Sequence, residues 1–344
     1  MDRRPTDLKV AVLAPISWRT PPRHYGPWEL FASMLTEGLV ARGVEVTLFA
    51  TGDSVTSATL ASVVPRSWSE DDEIDPKVAE CLHIASVFER AGEFDLIHNG
   101  FDFLPLTYSG LVDTPVLTTI HGFSSPRIVP VYARYNRRGA YISISDSDRH
   151  PDLDYLATIH HGIETDAFSL HPEPGGYLLF YGRIHPHKGT AQAIEVARQA
   201  GLPLVLAGII QDQAYFDAEI APHLDDDRVR YLGPVGVDER NDLLGEAVAL
   251  LHLIDFEEPF GLSVVESMAA GTPVIAARRG SMPELIDEGV TGFLVDSHEA
   301  AVAAVKRAAA LDRVAIRHRA VARFGKDRMV EEYLAAYQHL LRRG

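Results

Sequence analysis

Short, unbroken apolar runs alternate with helix-length amphipathic segments along almost the whole of this chain, and few folds can absorb that rhythm. The runs at 8–15, 44–50, 95–98, 115–120, 140–144 and 156–160 fill the first half, and those at 176–181, 204–207, 229–232, 249–253, 273–276 and 292–295 fill the second. Between the latter, helical spacing marks 188–200, 211–222, 237–246, 260–270 and 297–310. A strand whose neighbours are all apolar has both faces covered, which is the condition of a parallel strand rather than of an antiparallel one with a wet side. The expected architecture is therefore α/β, with two doubly wound, Rossmann-like domains.

Length supports two domains, since 344 residues exceed what one hydrophobic core usually organises. The boundary is expected where His171-Pro172-Glu173-Pro174-Gly175-Gly176 breaks every regular pattern. This gives an N-terminal domain over 1–170, a C-terminal domain over 171–325, and a terminal helix over 326–344. Ligands in such folds bind beyond the carboxyl ends of strands, so paired domains are expected to make a cleft.

Charge narrows the partners. With 32 basic against 48 acidic residues the formal charge is −16, which disfavours general attraction to nucleic acid or anionic lipid, so any phosphate site must be local. The single cysteine, Cys81, excludes an internal disulfide framework and a cysteine-based zinc cluster. Residues 1–7 lack the apolar core of a signal peptide, and no run reaches the roughly 20 apolar residues of a membrane span. A cytoplasmic protein without an integral membrane segment is expected.

Four constellations carry chemistry. In Glu258-Pro259-Phe260-Gly261-Leu262-Ser263-Val264-Val265-Glu266, two carboxylates bracket the start of a helix and lie at most about 12 Å apart at helical rise. Between them, the N–H groups of Phe260, Gly261 and Leu262 are placed to favour an anion such as a diphosphate. Taken alone, the pair reads equally as a Glu258 complementing the helix dipole and a solvated Glu266. Gly182-Arg183-Ile184-His185-Pro186-His187-Lys188-Gly189 follows a strand, and its two cations, a planar fork and a mobile point charge, suit a diphosphate without metal. His121-Gly122 closes the strand 115–120, where reacting groups are placed, although a lone histidine is commonly structural. The loop 18–29 is long, stiffened by proline and tipped with aromatic and polar groups; its Gly26 permits close backbone approach. His98-Asn99, the adjacent His160-His161, and the arginines 127, 134, 137 and 138 are weaker candidates. Two adjacent histidines without a third ligand make a poor metal site, and the arginines either meet an anionic acceptor or form a solvated face.

Taken together, the Glu-x7-Glu segment, Gly-Arg-x4-Lys-Gly, the strand-end His-Gly and Tyr25-Gly26-x-x-Glu29 resemble the retaining GT-B glycosyltransferases of the group 1, or family 4, type. Met268-Ala269-Ala270-Gly271-Thr272-Pro273 and Gly289-Val290-Thr291-Gly292-Phe293 strengthen the likeness, which spans nearly the whole chain. The resemblance implies a hexosyl transfer from a nucleoside-diphosphate sugar, UDP-glucose first and GDP-mannose second, to a small-molecule, glycan or lipid-linked acceptor. It implies no metal or other cofactor. It places Glu258 on the sugar hydroxyls, Glu266 on the ribose, Arg183 and Lys188 on the diphosphate beside Gly182, Gly261 and Leu262, and Val235 near the base. It sets His121 against the sugar and Gly26 beside the phosphates, and it implies that the terminal helix crosses back to the first domain. Pro27 replaces a second loop glycine, and His161-Gly162 stands where relatives often have Asn-Gly. Two other functions fit the same pattern: a nucleotide-sugar epimerase, and a two-domain sugar-binding protein without catalysis.

Overall fold

A computed structural model describes residues 7–24, 26–123, 125–225 and 227–342. The chain divides into two compact units, one formed by 1–162 with 326–344, the other by 163–325.

The first unit is a seven-stranded, wholly parallel sheet. Its strands are β1 (Lys9–Leu13), β2 (Glu45–Phe49), β3 (Thr59–Ala61), β4 (Leu96–Asn99), β5 (Val116–Ile120), β6 (Ala140–Ser143) and β7 (Tyr155–Thr158), in spatial order β3-β2-β1-β4-β5-β6-β7. The central strands β4 and β5 are buried at every position, His98, Asn99, Thr118 and Thr119 included, so neither shows the alternation of a strand with one wet face. Helix α1 (Pro27–Ala41) starts with Pro27 at its first position, where a missing N–H costs nothing. Helix α2 (Pro76–Glu89) is capped by Asp75, whose carboxylate accepts the Val78 N–H at 3.0 Å. Helix α3 (Val129–Tyr135) precedes β6.

The second unit holds a six-stranded parallel sheet. Its strands are β8 (Tyr177–Tyr181), β9 (Leu204–Ala207), β10 (Val229–Tyr231), β11 (Ala247–His252), β12 (Val274–Ala277) and β13 (Gly292–Val295), ordered β10-β9-β8-β11-β12-β13. Its helices are α4 (Thr190–Ala200), α5 (Gln213–Tyr215), α6 (Val237–Gly245), α7 (Leu262–Ala269), α8 (Met282–Leu285), α9 (His298–Ala308) and α10 (Arg313–Phe324). The segment 171–176 runs inside this unit, where Arg313 donates to the His171 carbonyl at 2.6 Å.

Helix α11 (Lys326–Leu341) belongs to the first unit. Its Met329, Val330, Tyr333, Leu334, Ala336 and Tyr337 complete the core formed by Val10, Leu35 and Leu39. Gly38 of α1 lets it approach, since a Cβ there would lie 2.4 Å from Val330.

Three elements differ from their expected form. The helix expected over 211–222 is a single α turn continued by a π-helical stretch, Phe216–Ile220, and a 3-10 turn, Ala221–His223; Pro222 can neither donate to the preceding turn nor fit inside a regular helix. Strand β3 has no apolar run to betray it, because it is a short edge strand that is largely half-buried. Helix α7 begins at Leu262 rather than at Phe260, because Gly261 at φ 98° is its cap.

Candidate functional site

In the second unit the chain leaves β8 for β9 and β10 on one side and returns to β11, β12 and β13 on the other. The winding reverses between β8 and β11, and in folds of this kind ligands bind beyond the carboxyl ends of the strands at that point. Two loops meet there. After β8, a 3-10 turn over Pro186–Lys188 ends at Gly189, whose φ of 77° is reserved for glycine; a Cβ there would lie 2.0 Å from the Leu253 carbonyl oxygen. That close approach seats the turn on the end of β11. The Asp255 N–H donates to the His187 carbonyl at 3.1 Å, and the His187 imidazole lies 2.7 Å from the Asp255 carboxylate.

Lys188 is thereby delivered to Glu258. Its ammonium donates to Oε2 at 2.5 Å, both side chains are mostly shielded, and the cation lies 4.7 Å from the Phe256 ring centroid. His252, the last residue of β11, stands 3.7 Å from the same carboxylate oxygen. Burial, reinforced by Lys188 and opposed by Glu258, brings its pKa down to about 4, so it is neutral near pH 7. The Glu258 carbonyl accepts the Ser281 N–H at 3.0 Å, and the Glu257 carboxylate accepts the Gly280 N–H at 2.6 Å, so the loop after β12 fixes the acidic segment.

Phe260 lies ahead of the cap, its ring buried 6.2 Å from that of Phe324. At the start of α7 the groups without an intrahelical acceptor are the N–H groups of Leu262 and Ser263, and no side chain caps them. Glu266, one turn on, is buried and accepts from Arg240 of α6 at 3.0 Å, while that guanidinium rests 5.1 Å from the Phe168 ring centroid. Burial raises the Glu266 pKa and Arg240 opposes the rise. Arg183 has a different environment: its guanidinium donates to the Gln211 amide oxygen at 2.8 Å and meets no carboxylate among the described residues. Gly182 continues the β8 pairing through its N–H to Ala207 at 3.0 Å, and Val235 sits half-buried in the loop after β10.

The first unit has its own reversal point between β1 and β4. Beyond β5, His121 is sandwiched between Trp28 and His161, with ring centroids 5.4 Å and 5.2 Å away, and Phe31 meets it edge-on at 4.8 Å. Burial first, then His161 and His98, hold its pKa well below the ordinary value, and its Nε2 has no hydrogen-bond partner among the described residues. Behind it, His98 on β4 joins α11 through Tyr337 at 2.5 Å and reaches Tyr333 through Thr119, at 2.9 Å on each step. Gly26 caps α1 at φ 150°, where a Cβ would lie 2.9 Å from the Glu29 carboxylate. Glu29 accepts the Trp18 N–H at 3.1 Å and is pushed up to about 7 by burial. Tyr25 of the same motif lies outside the described residues.

The second unit thus gathers Gly182, Arg183, Lys188, Val235, Glu258, Phe260, Gly261, Leu262 and Glu266 at the strand ends of one sheet, and the first unit places Gly26 and His121 beyond those of the other. Sequence reasoning missed Arg240 and His252. Nothing in the sequence marks Arg240 as the partner of Glu266. His252 carried the strand-end signal that singled out His121.

The family described as Glycosyl transferases group 1 matches residues 163–327. The D-inositol 3-phosphate glycosyltransferase of Mycolicibacterium paratuberculosis is 30% identical over 225 residues, covering 57% of this chain and 50% of the relative. The chain spans about half the length of the curated relatives it matches. Among solved structures, AviGT4, a glycosyltransferase involved in avilamycin A biosynthesis, superposes with a TM-score of 0.71 at 25% identity over 98% of this chain and 99% of its own. The sucrose-phosphate synthase of Thermosynechococcus elongatus gives 0.77 at 18% identity, covering 98% of this chain and 100% of that one. Anabaena HepE, solved with UDP and glucose, gives 0.70 at 19% identity, covering 95% and 98% respectively. With two parallel-sheet Rossmann-like units and those neighbours, the chain has the GT-B fold of glycosyltransferases, and its residues 163–327 match the family Glycosyl transferases group 1.

Proposed function

We propose that this chain transfers a hexosyl group from a nucleoside-diphosphate sugar to an acceptor hydroxyl, keeping the anomeric configuration and using no metal. The observation that carries the reading is the meeting of Lys188 and Glu258 at the β8–β11 reversal point, with Arg183 five positions before Lys188 and, among the described residues, held by a neutral amide. In the absence of donor the Lys188 ammonium and the Glu258 carboxylate neutralise each other. With donor bound, Glu258 accepts from sugar hydroxyls and Lys188 turns its charge to the diphosphate, joined by Arg183 and the first N–H groups of α7. Charge growing on the leaving phosphate is then stabilised by groups already in place, an effect worth several kcal/mol in such sites. Glu266, oriented by Arg240, takes the ribose diol. Both carboxylates are occupied with hydroxyls, so the reaction proceeds as a front-face displacement in which the leaving phosphate accepts the acceptor proton. His121, neutral and with Nε2 unpaired, is the first unit's group for the sugar. The acceptor is a small molecule, a glycan or a lipid-linked sugar.

A thermal-shift panel of nucleotides and nucleotide sugars, starting with UDP-glucose, UDP-GlcNAc and GDP-mannose, tests the donor side, since a ligand of the native state raises its melting temperature by mass action. One matched pair of nucleotide and nucleotide sugar should stabilise the protein and be turned over slowly to free nucleotide. Sugar isomers in place of released nucleotide identify an epimerase. Stabilisation with no turnover of any donor identifies a binding protein.

A further inference from the structure

His252 is the single polar side chain of β11, and at 6% exposure it is as hidden as its apolar neighbours. Its Nε2 is shut off from solvent and has no hydrogen-bond partner among the described residues. A buried polar atom left in that state weakens the fold, so its place needs a reason. The nearest carboxylate oxygen, Oε2 of Glu258, lies 3.7 Å away, too far for a hydrogen bond and near enough for a charge to act. That same oxygen takes the Lys188 ammonium at 2.5 Å. A lysine from the loop after β8 and a histidine from the end of β11 therefore compete for one acceptor, and the lysine holds it.

Other charged groups around the end of β11 are engaged elsewhere. On the β8 side Arg183 holds Gln211 at 2.8 Å, and on the β12 side Arg278 meets Asp296 at 3.3 Å and Arg279 meets Glu257 at 3.7 Å. Asp255, in the loop after β11, lies 2.7 Å from His187. Among the helices packed on the strand, Glu266 of α7 accepts from Arg240 of α6, while Glu239 and Asp242 of α6 are exposed. On α9, Arg307 rests 4.1 Å from the Phe293 ring centroid, Lys306 is exposed, and His298 acts on the Glu195 and Glu299 carboxylates. What bears on His252 is burial, then the Glu258 carboxylate, which favours a proton on the ring, and the Lys188 ammonium, which opposes one. Burial and the carboxylate stay with the fold. Lys188 is the variable member, because with donor bound it turns to the diphosphate. Its departure lifts the repulsion from His252, leaves Glu258 without its cation and adds the negative charge of the diphosphate. All three changes favour a proton on the ring.

We propose that His252 is a positioning residue, the reserve cation of Glu258: when Lys188 leaves for the diphosphate, the imidazole takes a proton from solvent and donates a hydrogen bond to the carboxylate, which stays ionised for the sugar hydroxyls. Donor binding is thereby coupled to uptake of a proton. The inference rests on the donor reading, so one arm of its test uses no donor. In ligand-free protein labelled at histidine, with the His252 resonance assigned by its loss in His252→Gln, the Lys188→Met variant should hold the imidazole proton at least about tenfold more tightly than the unaltered chain, and adding Glu258→Gln should reverse the gain. In the second arm UDP-glucose is the probe, or GDP-mannose where the first does not bind. Calorimetry at pH 6 in buffers of different ionisation heat should show net proton uptake that His252→Gln lacks, and affinity should rise several-fold from pH 7.5 to pH 5.5 in the unaltered chain alone. Failure of both probes to bind counts against the donor reading, and the ligand-free titration then decides this one. An imidazole titration unmoved by Lys188→Met overturns the inference. So does a proton carried by Glu258 instead, read from its carboxyl carbon resonance, or donor binding with the same proton count in His252→Gln as in the unaltered chain.

Discussion

Acidification from pH 7 to pH 5 should destabilise the first unit by an amount that its buried side chains allow to be worked out. Burial brings His83 down to about 4, and His98 and His161 to about 3, against an ordinary value of 6.5. Each is neutral in the folded chain while the unfolded chain takes up a proton, so the stability it contributes is complete above 6.5 and drains away as the pH falls toward its folded value. Over this interval each loses about 2 kcal/mol, and the three together about 5 to 6. His121 acts in the same direction. Glu29 acts in the opposite one: raised from 4.5 to about 7 by burial, it stabilises fully below 4.5 and loses that contribution as the pH rises through 7. It therefore returns about 2 kcal/mol on acidification, leaving a net loss of about 3 to 4. Glu80 and Asp102, also raised by burial, pull with Glu29.

The three tryptophans, Trp18, Trp28 and Trp68, all lie in the first unit, so indole emission during urea titration reports on it selectively. With a slope of about 2 kcal/mol per molar urea, the midpoint should fall by about 1.5 to 2 M between pH 7 and pH 5. Glu29→Gln removes the opposing contribution and should widen the drop by about 1 M. His83→Gln keeps a donor for the Ala14 carbonyl, 2.8 Å from the native ring nitrogen, and should narrow it by a similar amount. A midpoint that does not move between pH 7 and pH 5 would falsify the assignment of neutral, buried imidazoles.

Three further outcomes bear on the site of the second unit. Arg183→Ala and Lys188→Ala should each lower turnover by at least about 100-fold, as expected for loss of a charge that stabilises the leaving phosphate, and steady-state kinetics with near-normal kcat in both would remove them from that role. Glu266→Ala should weaken binding of the free nucleotide, measured by calorimetry, because the ribose contact does not depend on the sugar; unchanged affinity would contradict its placement. Activity should persist in EDTA, since in the proposed reading two cations serve the diphosphate, and a complete loss restored by divalent metal would refute the metal-free reading.

Much of the sheet architecture was legible because it is written in local patterns. Strand β11 reads as Ala247-Val248-Ala249-Leu250-Leu251-His252, all buried, and β8, β9 and β12 of the same sheet are apolar runs of the same kind, so parallel pairing covered on both faces follows from the runs themselves. Where the local pattern is weak, as in β3 with its short Thr-Leu-Ala run, the strand exists only because β2 offers it an edge. The break in 211–222 was signalled by Pro222, and the later start of α7 by Gly261. Site residues were legible to the extent that a strand end or a glycine turn marked them.

What the sequence conceals is who partners whom. Arg240 reaches Glu266 from another helix, and Lys188 reaches Glu258 across 70 positions because Gly189 lets one turn rest on the end of β11. No periodicity records such meetings; they follow from which strands become neighbours. Yet these meetings determine what the two glutamates can be. Burying an unpaired carboxylate costs several kcal/mol, so Glu266 is tolerated in its buried place because Arg240 stands beside it, and the mostly shielded Glu258 has Lys188 as its partner. The same cations then differ in what a ligand must do. Arg240, resting on Phe168 and held by a buried acid, has every reason to remain where it is and orient Glu266. Lys188 ends a flexible stem beside an acid that sugar hydroxyls can satisfy, so it is the member of the two pairs that is free to follow a diphosphate. In the proposed reading, the two glutamates are thus a fixed acceptor and a switchable one.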